Sequence, residues 1–357
     1  MAQRTRLTTV PEIPAGWERE SAVAAVRRLP RLGGMANIEY RTLGDSGLVV
    51  STIGLGCNNF GRAGTATETQ EGTNAVIDAA IDAGVTFFDT ADIYGKERGL
   101  SETLMGAALA GKRDRIVLAT KFGMDMAGTN GPDWGARGSR RYIRLAVEAS
   151  LRRLRTDWID LYQLHQPDPL TPIEETIATL DDLIAEGKIR YIGHSNLAGW
   201  QVADAEYTAR LNGHPRFISA QNEYSLLVRG AEDEVMPAVN AYGLGFLPYF
   251  PLYNGLFTGK FSREGGPADS RIMMIRKHLL DNAPWDRIER YQAFCDERGV
   301  SMLAATFAWL LAQPGLTSVI AGATKPEQIV ANAEAATAWA PTAEDVATIS
   351  DIFARAS

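Results

Sequence analysis

The sequence predicts an α/β protein folded as a closed (β/α)8 TIM barrel, with an N-terminal β-hairpin closing the barrel bottom. Three observations carry this expectation. A pair of alternating segments around a tight turn opens the ordered part of the chain, eight short apolar runs come after it, and segments of helical period separate those runs. Eight strand–helix units favour a closed barrel over an open, doubly wound sheet.

The hairpin comes first. Ile38 to Leu43 and Leu48 to Thr52 flank Gly44-Asp45-Ser46-Gly47, whose residues suit a reversal between two alternating strands. The apolar runs are then Ile53-Gly54-Leu55, Thr86-Phe87-Phe88, Ile116-Val117-Leu118-Ala119, Ile159-Asp160-Leu161-Tyr162, Tyr191-Ile192, Phe217-Ile218-Ser219, Gly245-Phe246-Leu247 and Ser318-Val319-Ile320. Helices are predicted from Gly72 to Ala83, from Arg141 to Leu154 and from Thr171 to Glu186. In the last of these, Thr171-Pro172-Ile173-Glu174 reads as a capping box with proline at the first helical position, and Gly187 as the stop. Residues 1–37 carry scattered Arg and Pro around a short Ala/Val stretch, with Met35 just before the first strand-like segment. They are expected to be a loosely ordered extension, or to lie upstream of the true start, leaving 38–357 for the barrel.

Composition narrows the function. A chain of 357 residues, 45% hydrophobic and 22% charged, can bury a large core. Its net charge of −7 disfavours a nucleic-acid partner, which would call for a basic face. Cys57 and Cys295, the only cysteines, lie far apart and offer neither a disulfide framework nor a zinc pattern, so no metal is expected and a reducing, cytoplasmic home is. No apolar run is long enough to cross a membrane. The arginine-dense stretch 137–155 has Leu145, Val147, Leu151 and Leu154 between its charges, which suits a solvated helix face.

Barrel chemistry gathers at the carboxyl ends of the strands. The polar residues just beyond the runs are Asp89 and Tyr94, then Lys121, His165, Ser195 with Asn196, Gln221 with Asn222, and Tyr249. Taken alone, each has an ordinary explanation as a cap, a loop residue or a packed ring. Lys121 is harder to explain that way, because the chain uses 29 Arg and only 7 Lys yet closes this strand with Lys. An Asp, a Tyr, a Lys and a His on one rim would be costly to bury without a role.

Together these four could move a proton to a carbonyl oxygen. A free phenol has a pKa of about 10 and is a reluctant acid near neutrality. A cation about 4 Å away, at an effective dielectric near 20, is worth roughly 4 kcal/mol, or about three pKa units. Lys121 could supply that cation to Tyr94, Asp89 could hold the ammonium, and His165 could donate a hydrogen bond to the substrate oxygen. No nucleophile with an attached base is present, so hydrolysis fits poorly.

The chain resembles the aldo-keto reductase family through "GVTFFDTADIYG", "LSETLMG", "IVLATKFG", "DLYQLHQPDP", "IRYIGHSN", "SAQNEYSLL", "PYFPLYNGLFTGKF" and "SVIAGATKPEQIVAN", in order from about Tyr40 to Ala340. The resemblance implies a barrel that reduces aldehydes and ketones with a nicotinamide nucleotide and has no Rossmann domain. By motif, the family's catalytic tetrad falls on Asp89, Tyr94, Lys121 and His165. The same transfer sets the carboxamide of the nicotinamide against Ser195, Asn196 and Gln221 and stacks its ring on Tyr249. Pyrophosphate and adenosine would lie along Pro251, Leu252 and the segment from Gly322 to Asn332, which includes Ala323, Thr324, Lys325 and Gln328. NADPH is the expected cofactor because Lys325 stands where relatives place a base for the 2′-phosphate, and NADH stays open.

The barrel itself supports the nucleotide half, since phosphate is typically bound by the loops after its last two strands. Here these are residues 250–260 and Gly322-Ala323-Thr324-Lys325, ahead of a helix starting near Pro326 whose backbone N–H groups would attract phosphate. Four positions depart from the family pattern. Phe250 replaces a common Ser and leaves an apolar wall, Gln328 replaces an Arg, Ala331 replaces a Glu, and His194 precedes Ser195 where a small apolar residue is usual.

A small carbonyl compound is the expected substrate. Its identity would depend on the loops after Lys121, Tyr224 and Gly259, where Trp134, Leu226, Leu227, Met273, Met274 and Trp285 could line a cleft. Trp200, near another candidate loop, could line it too, and packing in the core or a lid explains all of these side chains equally well. Two alternatives share the pattern: a nucleotide-binding, redox-reporting subunit like the β subunits of voltage-gated potassium channels, and a sugar 1-dehydrogenase running the same chemistry in reverse. Oligomeric state is not legible.

Overall fold

The apolar runs become strands that pair in parallel. In the computed structural model, which describes residues 38–268 and 270–355, β1 (Tyr40–Thr42) and β2 (Val49–Ser51) form an antiparallel hairpin. The expected extension, residues 1–37, lies outside the described residues. Eight further strands come next: β3 (Ile53–Gly56), β4 (Phe87–Asp89), β5 (Val117–Phe122), β6 (Ile159–Leu164), β7 (Ile189–Ser195), β8 (Ser219–Gln221), β9 (Gly245–Phe246) and β10 (Val319–Gly322). Their order in the sheet is β10-β3-β4-β5-β6-β7-β8-β9. The Phe246 N–H donates to the Gly315 carbonyl at 2.8 Å and the Ile320 N–H to the Pro248 carbonyl at 3.2 Å, so the β9 segment also meets the approach to β10 and the ring closes.

Twelve α-helices are described. They are α1 (Gln70–Asp82), α2 (Leu100–Ala108), α3 (Arg140–Leu154), α4 (Ile173–Ala185), α5 (Gly199–Asn212), α6 (Val235–Tyr242), α7 (Arg271–Ile275), α8 (Lys277–Asp281), α9 (Trp285–Glu297), α10 (Met302–Leu311), α11 (Pro326–Ala335) and α12 (Ala343–Ile352). None is long and apolar enough to cross a membrane. The helix expected from Gly72 starts two residues earlier, because Thr69 Oγ1 accepts the Gly72 N–H and fixes the start there. The capping box expected at Thr171 is not formed. Its hydroxyl donates to Asp168 Oδ2 at 2.8 Å, which leaves Pro172 as the cap and Ile173 as the first helical residue. Gly187 does end the helix, in the left-handed region at φ 75°.

Strand alternation places the site. Side chains on one strand face alternately inward and outward. Phe87, Val117, Ala119, Leu161, Tyr191, Ile218, Leu247 and Ile320 form the barrel interior, and Leu43, Leu48 and Val50 of the hairpin pack into it from below. The outward set, including Leu55, Phe88, Leu118, Tyr162 and Ile192, packs against the helices in a larger core. Moving up the inner face by twos takes Phe87 to Asp89, Ala119 to Lys121, and Leu161 through Gln163 to His165. The interior is therefore apolar at the bottom and polar at the carboxyl ends.

Candidate active site

Each of the four expected catalytic side chains reaches the same spot at the top of the barrel. Lys121 Nζ donates to Asp89 Oδ2 at 2.6 Å and to the Thr90 carbonyl at 2.8 Å, and it is fully buried. It lies 5.2 Å from the centroid of the Tyr94 ring. The His165 ring meets the Tyr94 ring edge to face, with centroids 5.8 Å apart. Local structure explains how a loop residue holds this position. The loop after β4 is pinned by the Asp92 N–H on the Lys121 carbonyl, the Lys96 N–H on the Gly61 carbonyl and the Ser101 N–H on the Tyr94 carbonyl. Asp92 is buried and accepts from Asn130 Nδ2 at 2.9 Å, which ties this loop to the one after β5.

Electrostatics divide the roles. Burial alone would lower the Lys121 pKa, but Asp89 and Tyr94 together outweigh it and push it above the ordinary lysine value, so the ammonium stays charged. Burial pushes the Tyr94 phenol above its usual range by more than Lys121 pulls it down, and Asp89 adds to the rise. This corrects the expectation of a net acidified phenol. The carboxylate 2.6 Å from the ammonium cancels much of the field that Lys121 would project. Tyr94 keeps some surface open at the mouth, while the dense surroundings of its ring remove most water from the hydroxyl. His165 is held well below the usual histidine range, by burial first and then by Lys121, so its ring is neutral.

The residues expected around the nicotinamide also converge. Ser195 Oγ donates to the Gln221 carbonyl at 2.8 Å, and Asn196 Nδ2 donates to the His165 carbonyl at 3.0 Å and to Ser195 Oγ at 3.1 Å. Tyr249 Oη donates to Asn196 Oδ1 at 3.0 Å. The Gln221 amide donates to Asp89 Oδ1 at 3.0 Å and so joins this group to Lys121. Pro251 and Leu252 lie in a loop where Phe250, Tyr253, Asn254 and Gly255 all have positive φ.

The second expected nucleotide loop comes after β10. Gly322 sits so close to the loop after β3 that a Cβ there would meet Asn59 Nδ2 at 2.8 Å. Ala323 and Asn332 are buried and Lys325 is exposed. Gln328 Oε1 accepts the N–H groups of Thr324 and Lys325, at 2.7 and 3.2 Å. Both N–H groups precede α11, whose first residue is Pro326, so this amide ties down the loop ahead of the helix and not the N–H groups of its first turn.

Other expectations also change. Phe250 is no bare apolar wall: the guanidinium carbons of Arg271 and Arg276 lie 5.3 and 5.8 Å from its ring centroid. Trp134 and Trp200 are 70% and 65% exposed, so they line no enclosed cleft, and Trp134 instead stacks under Arg141 at 4.3 Å. Leu226 is fully buried in the outer core. The basic stretch 137–155 is solvated as expected except at Arg137, which pairs with Asp133 at 2.7 Å, and at Arg153, which reaches the buried Glu102 at 2.7 Å. Sequence reading missed Gln163, whose amide donates to Asp89 Oδ1 at 3.0 Å. Its signal was a lone amide in an apolar strand, two places before His165 and so on the same face.

A parallel barrel with a buried lysine–carboxylate pair, a phenol and a neutral imidazole at its carboxyl rim defines a class of oxidoreductase. Residues 52–354 match the Aldo/keto reductase family. The chain is 39% identical over 301 residues to the oxidoreductase YrpG of Bacillus subtilis (strain 168), covering 82% of this chain and 89% of that one. It is 35% identical to the "Probable voltage-gated potassium channel subunit beta" of Oryza sativa subsp. japonica, covering 84% of this chain and 91% of that one. It is also 35% identical to the versiconal hemiacetal acetate reductase of Aspergillus parasiticus, covering 81% of this chain and 90% of that one. The chain belongs to the aldo/keto reductase family and is an oxidoreductase. The family generally acts on small carbonyl compounds with NADH or NADPH.

Proposed function

We propose that this chain reduces an aldehyde or ketone to an alcohol with NADPH, Tyr94 acting as the general acid. The observation that carries this reading is the buried Lys121–Asp89 pair at 2.6 Å, set beside the Tyr94 ring. Residues at the mouth fit a nicotinamide nucleotide. Tyr249 offers a ring, Ser195, Asn196 and Gln221 offer amide and hydroxyl partners, and Asn222 Oδ1 and Asn254 Oδ1 are buried acceptors without a hydrogen-bond partner. Pro251, Leu252 and the stretch from Gly322 to Asn332, with Lys325 and Gln328, would hold the phosphates and adenosine. When bound, the reduced nucleotide supplies the hydride for the carbonyl carbon.

The protein's own part is proton management. A phenol held above its usual pKa is fully protonated near neutrality, which suits a donor to the oxygen that gains negative charge. Lys121 strengthens that donation as charge develops, and Asp89 fixes the ammonium in place. A neutral His165 can donate one N–H to the same oxygen without bringing a competing charge. The oxidative alternative uses the same residues in reverse, with Tyr94 acting as the base. The test is rapid mixing of NADPH-loaded protein with a panel of aldehydes, following nicotinamide absorbance. Oxidation well above the blank supports an enzyme, whereas binding without oxidation supports the redox-reporting reading that the potassium-channel relative brings with it. Titration with NADPH and with NADH decides the cofactor.

A further inference from the structure

A hydrogen-bonded network of Asp92, Glu102, Asn130 and Arg153 backs the catalytic rim from the outer side of β5. Asp92, Glu102 and Asn130 are buried, and the Arg153 side chain is 15% exposed. Glu102 Oε1 accepts the Thr120 hydroxyl at 2.6 Å, and Oε2 accepts from Arg153 Nε at 2.7 Å. Arg153 Nη1 donates to Asn130 Oδ1 at 3.0 Å. Asn130 Nδ2 in turn donates to Asp92 Oδ2 at 2.9 Å and to Tyr142 Oη at 3.4 Å.

Donor and acceptor chemistry fixes the direction of this chain. A guanidinium only donates, so Arg153 faces the amide oxygen of Asn130 and leaves the nitrogen for Asp92. Glu102 takes the ion pair, and Asp92 has none among the described residues. Two carboxylates thus share one cation, and burial first, then Glu102, push the Asp92 carboxyl well above its usual range. Among the described residues the side-chain hydrogen bond to Asp92 comes from Asn130, and Asp92 Oδ1 is buried without a partner. Removing the Asn130 amide would leave a buried carboxyl with no side-chain partner, a loss that a loop relieves by shifting.

The network touches the acid's surroundings at three points. Asp92 stands two residues before Tyr94, with its N–H on the Lys121 carbonyl at 3.2 Å. Thr120, held by Glu102, directly precedes Lys121. The Arg153 stem lies against Gly99, where a Cβ would meet its Cδ at 2.6 Å, so it also abuts the far end of the loop after β4. Asn130, by contrast, belongs to the loop after β5, one of those expected to read the substrate. A single amide therefore joins the loop that carries the acid to a loop expected to select the carbonyl compound.

We propose that Asn130 is a positioning residue through which the loop after β5 sets the placement of Tyr94, by way of Asp92. Selectivity exerted by that loop then appears in kcat as well as in KM, because a displaced donor slows proton transfer without loosening the cofactor. The effect on turnover rests on the reductase reading above, but the tether between the two loops does not.

The test uses the full chain and the variants Asn130→Ala, Asp92→Ala, Asp92→Asn and the double alanine variant. NADPH titration reads the cofactor site, turnover of one aldehyde gives kcat and KM, and hydrogen exchange of the segment 89–102, well below the melting temperatures, reads the tether without turnover. The expected result is that Asn130→Ala lowers kcat by about tenfold or more, leaves NADPH affinity unchanged and speeds exchange in that segment. The double variant should lose no more than the worse single one, because both cut the same link. Asp92→Asn, which keeps an oxygen for the Asn130 amide, should recover part of what Asp92→Ala loses. Wild-type exchange in 89–102, faster exchange spread over the whole chain, wild-type kcat despite faster local exchange, or kcat losses that multiply in the double variant each overturn the proposal. Should an alanine variant fail to fold, Asn130→Ser carries the same readouts. If the wild-type protein reduces no aldehyde, hydrogen exchange still decides on the tether, and only the reductase reading falls.

Discussion

Gln163 Nε2 lies 3.0 Å from Asp89 Oδ1, the carboxylate oxygen turned away from Lys121. Gln221 addresses the same oxygen at 3.0 Å, so two amides from neighbouring inner faces fix the carboxylate that in turn fixes the ammonium. Replacing Gln163 by Leu removes one donor to a buried charge, a change worth about 1.5–3 kcal/mol. The melting temperature should fall accordingly, and turnover should fall further than cofactor affinity. A Gln163→Leu protein with wild-type kcat would show that Asp89 needs no such support.

Tyr94→Phe keeps the ring that meets His165 and removes only the hydroxyl. The expected outcome is a drop in kcat of about 10²–10⁴-fold, the usual worth of a positioned general acid. Binding of NADPH, measured by titration, should be preserved. Equal loss of turnover and binding would remove Tyr94 from the acid's role.

Lys121→Met tests the ammonium. Asp89 would lose the cation at 2.6 Å and remain as a buried carboxylate with only amide partners, so stability should fall by about 3–5 kcal/mol. Activity should be lost as well. The double variant Lys121→Met with Asp89→Asn should regain much of the stability and none of the activity, as thermal melts and single-turnover rates would show.

His194, next to Ser195 in β7, supplies a pH dependence of stability. Its ring is fully buried, neither nitrogen has a hydrogen-bond partner, and it stands edge-on to Phe217 at 5.3 Å. Burial pulls its pKa down to about 3. Between that value and the unfolded value of about 6.5, the unfolded chain binds more protons than the folded one, so this residue makes stability fall as pH falls. Above that window it contributes no slope. His194→Leu should therefore flatten the acid side of the stability curve by up to about 1.4 kcal/mol per pH unit between roughly pH 6 and 3. Denaturant midpoints for both proteins at several pH values check this, and parallel curves would contradict it.

Gly106 reports on helix packing. A Cβ at this position in α2 would lie 2.3 Å from the Arg153 carbonyl oxygen and 2.6 Å from the Leu154 carbonyl carbon, both backbone atoms of α3. Gly106→Ala should cost about 1–3 kcal/mol or somewhat more, because backbone cannot swing aside as a flexible side chain does. A thermal melt indistinguishable from wild type would mean that α2 and α3 can separate freely.

Much of this was legible in the chain because barrel geometry converts sequence spacing into place. Asp89, Lys121 and His165 each end an apolar strand, and a period of two puts all three on the inner face at the top. Tyr94 could be found too, since Asp89 and the turn beyond it are local. What stayed hidden depends on distances that spacing does not contain. The net pKa of the phenol is decided by burial, a property of the folded surroundings. Gln328 caps Thr324 and Lys325 only because its amide folds back over its own helix start. Phe250 and Arg271 are 21 positions apart in the chain, and nothing in either segment announces that one will lie under the other. The missed cap at Thr171 has the same origin, an Asp168 carboxylate that takes the hydroxyl first.

The stopper at the bottom of the barrel has a consequence for how the protein is made. Leu43 and Val50 fill the base, and Arg41 Nη1 grips the carbonyls of Leu311 and Leu316 at 3.0 and 2.9 Å, partners that lie 270 and 275 positions downstream. A ribosome releases the hairpin well before the segment that receives it. The hairpin must therefore wait, with its apolar side uncovered, until the chain 270 to 275 positions downstream has been made, and closing the barrel base follows that synthesis.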